Sequence, residues 1–456
     1  MIVRNLYILH RSDMGWRYIP ANEMIFHACA VFLPRCGVRF RLRTIEYAAL
    51  NLPCLVAKIL AHTTENHFAR GYKSFPCCLE FSARIPSDFN AASAMSTINT
   101  LHISENVSLA SFTTLGVGGP ARFFTTALDE SHIAEALSFA RTRSLPFFTL
   151  GGGSNLVVAD AGFPGLVLKI EIPGIRPLDA DGRVAVGAGV EWDAFVQYCV
   201  SRDLAGVEAL SGIPGTVGGA PVQNIGAYGQ EAGETITAIR AWDAQSDKIV
   251  ELSRAECAFE YRSSIFNTSR AGRYIILQTE FTLQPRGRPR VKYAELRKRF
   301  AEGANPSLAE IRGAVMDLRK SKGMIAGNDD SDSRSAGSFF RNPVISRDEF
   351  AAMEQKARDR GIIASSETIP CFDAPEGDVK IAAAWLIEHS GFFKGYEHGR
   401  AGISTKHALA LVNLGGATAV EIVSLMTLIK ERVIASFGIA LQPEPIFIGF
   451  EISEIS

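Results

Sequence analysis

The chain has 456 residues, 47% hydrophobic, 21% charged and 9% aromatic, and its 47 Lys+Arg against 48 Asp+Glu leave a formal net charge of −1. These are globular proportions that exclude wholesale disorder, collagen and coiled coil, and the length suits roughly two or three domains of ~100–200 residues. No global basic field exists to hold a nucleic-acid backbone or an anionic membrane, so neither a nucleic-acid partner nor membrane insertion is expected.

The balance is uneven along the chain. Residues 1–94 carry 11 Lys+Arg against 6 Asp+Glu and five of the eight cysteines: Cys29, Cys36, Cys54, Cys77 and Cys78. The apolar stretch from Tyr47 to Ala61 is broken by Asn51, Pro53 and Lys58, whereas a spanning helix needs ~20 largely apolar residues. No secretory leader pattern lines up at the terminus. An Arg-rich, acid-poor segment would suit an organellar transit peptide, but the Cys-Cys pair and scattered prolines fit that poorly. A start at Met95, with 1–94 as upstream sequence translated in error, stands beside a genuine extension. Beyond it Cys199, Cys257 and Cys371 are widely spaced, so no zinc or other metal site and no disulfide framework is expected, and a reducing cytoplasm is the default.

A regular pattern begins near residue 99. Asp129 is placed to cap a helix whose apolar positions Ile133, Leu137 and Ala140 recur at helical spacing. Phe147 to Leu150 reads as a short buried strand ending in Gly151-Gly152-Gly153-Ser154-Asn155. Leu156 to Val158, Leu166 to Ile170 and Val184 to Val186 read as further strands, with a helix from Trp192 to Ser201. A glycine-dense stretch covers 212–229, and strands are expected at Ile236 to Trp242 and Tyr274 to Leu283. Residues 325–337 are small and polar, as in a linker or mobile loop. The rhythm then changes to helix, strand, helix. Thr418 and Glu421 form a capping box, and Val420, Val423, Met426, Ile429 and Val433 make a helical stripe read as core, stopped by Gly438. This order predicts an α+β fold, a glycine-rich region followed by a smaller C-terminal domain.

Residues 151–155 after a strand make an anion cradle, since glycine amides unobstructed by Cβ atoms can turn towards a diphosphate. The motif alone is equally a plain turn, and it is neither a P-loop nor a GxGxxG fingerprint. The second segment is Ser211-Gly212-Ile213-Pro214-Gly215-Thr216-Val217-Gly218-Gly219-Ala220 and its continuation through Pro221-Val222-Gln223-Asn224-Ile225-Gly226-Ala227-Tyr228-Gly229. Two such segments suit a large flat cofactor, one holding its phosphates and the other lying against its ring.

With Thr113-Thr114-Leu115-Gly116, Tyr261-Arg262-Ser263-Ser264, Gly337-Ser338-Phe339-Phe340-Arg341-Asn342-Pro343, the run Lys380 to Ile387 and Pro443-Glu444, these motifs resemble the UDP-N-acetylenolpyruvoylglucosamine reductase family from about Asn99 to Ile452. The resemblance implies a two-part FAD-binding region of the vanillyl-alcohol-oxidase type, 95–170 and 171–324. It also implies a loop insert at 325–337, a C-terminal α+β substrate-binding domain at 338–442, and a segment, 443–456, returning Glu444 to the site. Residues 1–94 lie outside it. The implied activity is NADPH-dependent reduction of UDP-N-acetylglucosamine enolpyruvate to UDP-N-acetylmuramate through FAD, in bacterial peptidoglycan precursor synthesis, by a monomer of the cytoplasm.

Residue by residue, the resemblance implies cofactor contacts from Leu150, Gly151, Gly152, Gly153, Ser154, Asn155, Ile213, Pro214, Gly215, Gly218, Gly219, Asn224, Gly226, Ala227, Tyr228 and Ile276. Arg262 matches the arginine gripping the substrate carboxylate, Ser338 the proton donor and Glu444 the acid beside the developing enolate. By themselves these three would be a surface ion pair, a turn residue and a loop carboxylate. Tyr261, Lys322, Asn342 and His407 fall at substrate-binding positions. Tyr293 matches the tyrosine of a closing loop that marks the first of the family's two structural types. Three departures stand out: His407 lies where some relatives carry Gln, Pro445 and Ile446 follow Glu444, and the 325–337 segment is long.

Overall fold

Asp129 opens its helix as the pattern requires: the carboxylate accepts from the His132 amide at 3.0 Å, and Ile133, Leu137 and Ala140 turn inward along Glu130–Thr142. The computed structural model describes residues 7–12, 15–20, 101–451 apart from 290, 292, 302, 326–330 and 365, and residue 454. Most of the expected 1–94 extension, with its five cysteines, and residues 326–330 of the expected linker therefore lie outside the described residues.

The chain separates into two units, Met1–Phe89 and Asn90–Ser456. In the first, Tyr7–Ser12 pairs antiparallel with Gly15–Pro20, Tyr7 opposite Pro20 and Ser12 opposite Gly15. All other elements of the described residues belong to the second.

The two largest sheets of that second unit lie in its amino-terminal half. One has the strand order Ser104–Ser108, Pro120–Ala127, Phe163–Ile170, Phe147–Leu150; its first pair is antiparallel and the others parallel. The other is fully antiparallel, ordered Lys248–Ser253, Ile236–Asp243, Tyr274–Thr282, Arg183–Gly187, Ile175–Pro177. The expected strands are present with ends shifted by up to three residues, the largest shift being Phe163 for Leu166. Helix Trp192–Ser201 has the expected bounds. Both sheets share one core with the two helices, and at its centre Trp192, Phe195 and Phe281 meet at ring separations of 4.6–6.1 Å. The buried Trp192 indole N–H is satisfied by the Leu210 carbonyl at 3.0 Å.

The carboxyl-terminal half packs two three-stranded sheets and helix Arg347–Asp359 around helix Ala419–Phe437. Thr418 and Glu421 form the expected capping box, and Gly438 stops the helix at φ +76°. One expectation fails here. Val420 is 63% exposed, because it sits in the first turn on the solvent side; Ile422 and Leu425, off the expected stripe, are fully buried. Helices Leu308–Ser321 and Arg347–Asp359, not among the expected elements, each begin with a capping box, Ser307–Glu310 and Ser346–Glu349, whose Ser-x-x-Glu signal is present in the sequence.

The halves are tied together at several points. Asp160 accepts from the Ala419 and Val420 amides at 2.9 and 3.0 Å, adding a carboxylate from one half to the start of the long helix in the other. Asn413 Nδ2 donates to the Leu115 and Gly116 carbonyls. Ile446–Ile448 runs parallel to Leu156–Val158, so the chain's last strand returns to the first half beside the 151–155 turn. Among the described residues no helix is long and apolar enough to cross a membrane.

Candidate active site

The two glycine segments lie back to back. A Cβ on Gly152 would fall 2.5 Å from the Gly215 Cα, and one on Gly153, at φ +65°, 1.7 Å from the Phe112 carbonyl. Only glycine permits either approach. Ser154 Oγ fastens the pair by donating to the Pro214 carbonyl at 3.0 Å. Thr216 Oγ1 is buried with no hydrogen-bond partner, and a Cβ on Gly151 would stand 2.9 Å from it. A buried hydroxyl without a partner, facing a glycine turn, is what a cradle for a diphosphate would present, because such a group otherwise costs about 1–3 kcal/mol. These residues fit FAD. Gly152→Ala should force the segments apart, at a cost of about 1–3 kcal/mol, and leave the purified protein with a clearly lower flavin-to-protein absorbance ratio. Full flavin content in that variant would show the close approach to be dispensable.

Arg262, Ser338 and Glu444 come from three separate segments and line one cleft, with Ile213, Pro214, Gly226, Ala227, Tyr228, Tyr293, Lys322 and His407. Arg262 sits at the tip of a tight turn in which Glu260 and Ser263 exchange backbone hydrogen bonds, and its φ is +54°, a left-handed conformation for a residue with a long side chain. Strain of this kind, on the order of 1–3 kcal/mol, is retained where the surroundings enforce it. Here Asn267 Nδ2 holds the Arg262 carbonyl, and Ser264 Oγ donates to the Val222 carbonyl at 2.6 Å. The guanidinium donates through Nη2 to the Gly226 carbonyl at 2.8 Å. Its Nε lies 3.2 Å from Glu444 Oε1, near enough for an ion pair, although the N–H is not aligned for a hydrogen bond.

Ser338 and Glu444 are set side by side by their backbones. Gly337 turns at φ +74°, Phe339 N donates to Leu409 O, Glu444 N to Phe339 O, and Arg341 N to Gln442 O. The fully buried Phe339 and Phe340 rings anchor the strip. Beyond Glu444, Ile446 N donates to the Asn155 carbonyl, while Asn155 Nδ2 donates to Gln223 Oε1 and to the Glu444 carbonyl. The Glu444 carboxyl is pushed up by burial, only partly offset by the cationic Arg262 and Arg341. Ser338 Oγ lies 3.1 Å from His407 Nε2. Burial, with Lys322 and Lys394 nearby, pushes His407 down to about 4, so the ring is neutral at pH 7.

Across the cleft, Lys322 caps helix Leu308–Ser321 and pairs with Glu295 at 2.7 Å. Burial alone would lower the Lys322 ammonium, but Glu295 raises it. Tyr293 meets Tyr228 edge-on at 5.5 Å and is 41% exposed, as a side chain at the mouth of the cleft would be.

Some expected site residues are not among those lining this cleft. Asn224, at φ +44°, uses its amide on Glu231, the Glu260 carbonyl and the Gly233 amide, which holds the glycine block in shape. Asn342 Oδ1 accepts from the Ala383 amide and so caps helix Ala383–Glu388. Tyr261 is a rim residue, 44% exposed, with the Lys380 ammonium 4.8 Å over its ring. Leu150 is buried at the end of its strand, and Ile276 lies within the antiparallel sheet, paired with Ala241. Gly218 and Gly219 lie beside Ala188 and Thr216.

Conversely, the cleft includes Thr114, Arg319 and Ser335, which are not among the site residues expected from the sequence. Arg319 is buried and braced on the Gly212 and Met324 carbonyls. Its signal was ordinary, since basic residues in a helix's last turn are common.

Residues 121–253 match a family model described as FAD binding domain, and residues 329–448 match UDP-N-acetylenolpyruvoylglucosamine reductase, C-terminal domain. Fold and cleft thus define an FAD-dependent oxidoreductase with an FAD-binding region followed by an α+β carboxyl-terminal domain. The reductase of Thermobifida fusca is 46% identical over 358 residues, covering 77% of this chain and 99% of that protein. That of Streptomyces avermitilis is 41% identical over 360 residues, covering 77% and 97%. The crystal structure of the enzyme from Thermus caldophilus superposes with a TM-score of 0.52 at 25% identity, covering 76% of this chain and 100% of that one. The chain belongs to the UDP-N-acetylenolpyruvoylglucosamine reductase family.

Proposed function

We propose that this protein uses NADPH to reduce UDP-N-acetylglucosamine enolpyruvate to UDP-N-acetylmuramate, a bacterial peptidoglycan precursor. The observation that carries the reading is the convergence of Arg262, Ser338 and Glu444 on one cleft beside the glycine cradle. When bound, FAD supplies the two-electron chemistry that links the nicotinamide to the enolpyruvyl group. The chain's residues supply the rest. An enol ether accepts hydride poorly at its methylene carbon unless the carbanion developing beside the carboxylate is stabilised. Arg262 offers a fixed guanidinium to that carboxylate. Glu444, its carboxyl raised by burial, can hold a proton and donate a hydrogen bond to the enolate rather than repel it. Ser338 delivers the proton to the adjacent carbon.

Lys322 meets the UDP diphosphate in exchange for Glu295, and Tyr293 closes over the bound sugar nucleotide. In this reading residues 95–170 and 171–324 are the halves of the flavin region, 338–442 bind substrate, and 443–456 return Glu444 to the site. The protein works as a monomer in the cytoplasm, where NADPH and UDP sugars are made. One cleft used in turn by both substrates gives ping-pong kinetics.

The test is the flavin spectrum of the full chain without oxygen. NADPH should bleach it, and UDP-N-acetylglucosamine enolpyruvate should restore it with stoichiometric UDP-N-acetylmuramate. Bleaching without restoration would remove the proposed substrate.

A further inference from the structure

We propose that His407 is the positioning residue for proton delivery: its Nε2–H donates to Ser338 Oγ and turns the serine's own proton into the cleft. The inference rests on the reading of Ser338 as proton donor.

The geometry is local and built. His407 follows a turn in which the buried Ser404 hydroxyl accepts from the Lys406 and His407 amides, and the His407 carbonyl accepts from Ala410 N. The ring is thereby held with Nε2 3.1 Å from Ser338 Oγ. A hydroxyl has a single proton, so a serine donating to Nε2 would aim that proton at the histidine and leave nothing for the substrate carbon. With the imidazole as donor, the hydroxyl proton is free. The charged groups acting on the ring are Lys322 and Lys394, which disfavour its protonation, and the more weakly acting Glu295. The ring therefore remains a neutral imidazole, and the two ammonium groups add to the field that favours negative charge on Oγ.

The step balances simply. The Oγ–H bond breaks as the enolate's electron pair forms the new C–H bond at the carbon bearing the carboxylate. The alkoxide left on Ser338 is held by Nε2–H and takes a proton from solvent before the next turnover.

Three variants and one spectrum test this. In anaerobic single turnovers, His407→Ala should slow flavin reoxidation by saturating UDP-N-acetylglucosamine enolpyruvate about 10²-fold, as expected when a donor to developing negative charge is removed. The half-saturating substrate concentration should change far less. His407→Gln, whose amide N–H can still donate but cannot act as an acid or base, should recover most of the rate. In ¹⁵N-histidine-labelled, flavin-loaded protein at pH 7, His407 should report the neutral Nε2–H tautomer. A rate within threefold of wild type in His407→Ala, a glutamine variant as slow as alanine, or an Nδ1–H or cationic ring would each overturn the inference. Ser338→Ala separates the two ideas. If it is slow while His407→Ala is not, only the role of His407 falls; if it is as fast as wild type, the proton-donor reading falls first.

Discussion

Ser338→Ala should leave reduction of the flavin by NADPH intact while slowing reoxidation by the enolpyruvyl substrate about 10²–10⁴-fold, the usual worth of a positioned proton donor. The asymmetry between the half-reactions is the informative part. Ser338 lies between a glycine turn and two fully buried phenylalanines, so its backbone does not depend on the hydroxyl, and alanine fits the same φ and ψ. The partner that loses an interaction is His407 Nε2. A folding defect would lower flavin content and melting temperature; loss of the proton alone would lower neither. Rapid-mixing absorbance at the flavin band measures both half-reactions, and reoxidation within threefold of wild type would show that the proton comes from elsewhere.

On the proposed reading, Arg262→Ala should cost about 10²–10³-fold in the same step and also weaken substrate binding, because the guanidinium would face the substrate carboxylate in both the ground state and the transition state. A second effect follows from its neighbour. The Arg262 charge holds down a Glu444 carboxyl that burial pushes up, so removing it shifts Glu444 further upward and moves the alkaline limb of the pH–rate profile to higher pH. Arg262→Lys should not rescue, because one ammonium cannot hold the Gly226 carbonyl and a carboxylate in the fork geometry of a guanidinium. Arg262→Gly provides the control for strain. At φ +54° glycine relieves the backbone, so this variant should melt no lower than Arg262→Ala yet be equally slow. Were glycine markedly faster than alanine, strain at the turn rather than lost charge would explain the alanine defect.

Much of this site could be read from the chain because its chemistry sits in contiguous motifs. The 151–155 turn and the 213–219 segment are legible as residue order, whereas Arg262, Ser338 and Glu444 stand out only through the resemblance of their motifs to a known family. What escaped depends on contacts between distant segments. Thr216 looks like any threonine in a glycine-rich run, and only the burial of its hydroxyl without a partner makes it notable. Asn224 and Asn342 carry the expected functional groups, and the structure shows them bonded to backbone amides and carbonyls nearby, which residue order does not reveal. Val420 obeys the helical period, yet a residue in a first turn at the edge of the packed face stays in solvent. The pairing of His407 with Ser338 spans 69 residues, and neither residue announces the other.

The return of Ile446–Ile448 to pair with Leu156–Val158, with Asp160 on the start of the long helix and Asn413 on the Leu115 and Gly116 carbonyls, also bears on how the protein is made and unmade. A ribosome will have released most of the flavin region before the strand that completes its neighbourhood exists. The early half must therefore wait, partly closed, for residues nearly 300 positions downstream, and Glu444 joins the site only as that last strand docks. Once it has docked, neither half can loosen without exposing strand edges or helix amides of the other. Heat or denaturant should then take both halves in a single cooperative transition, and flavin release should coincide with loss of helix signal instead of preceding it.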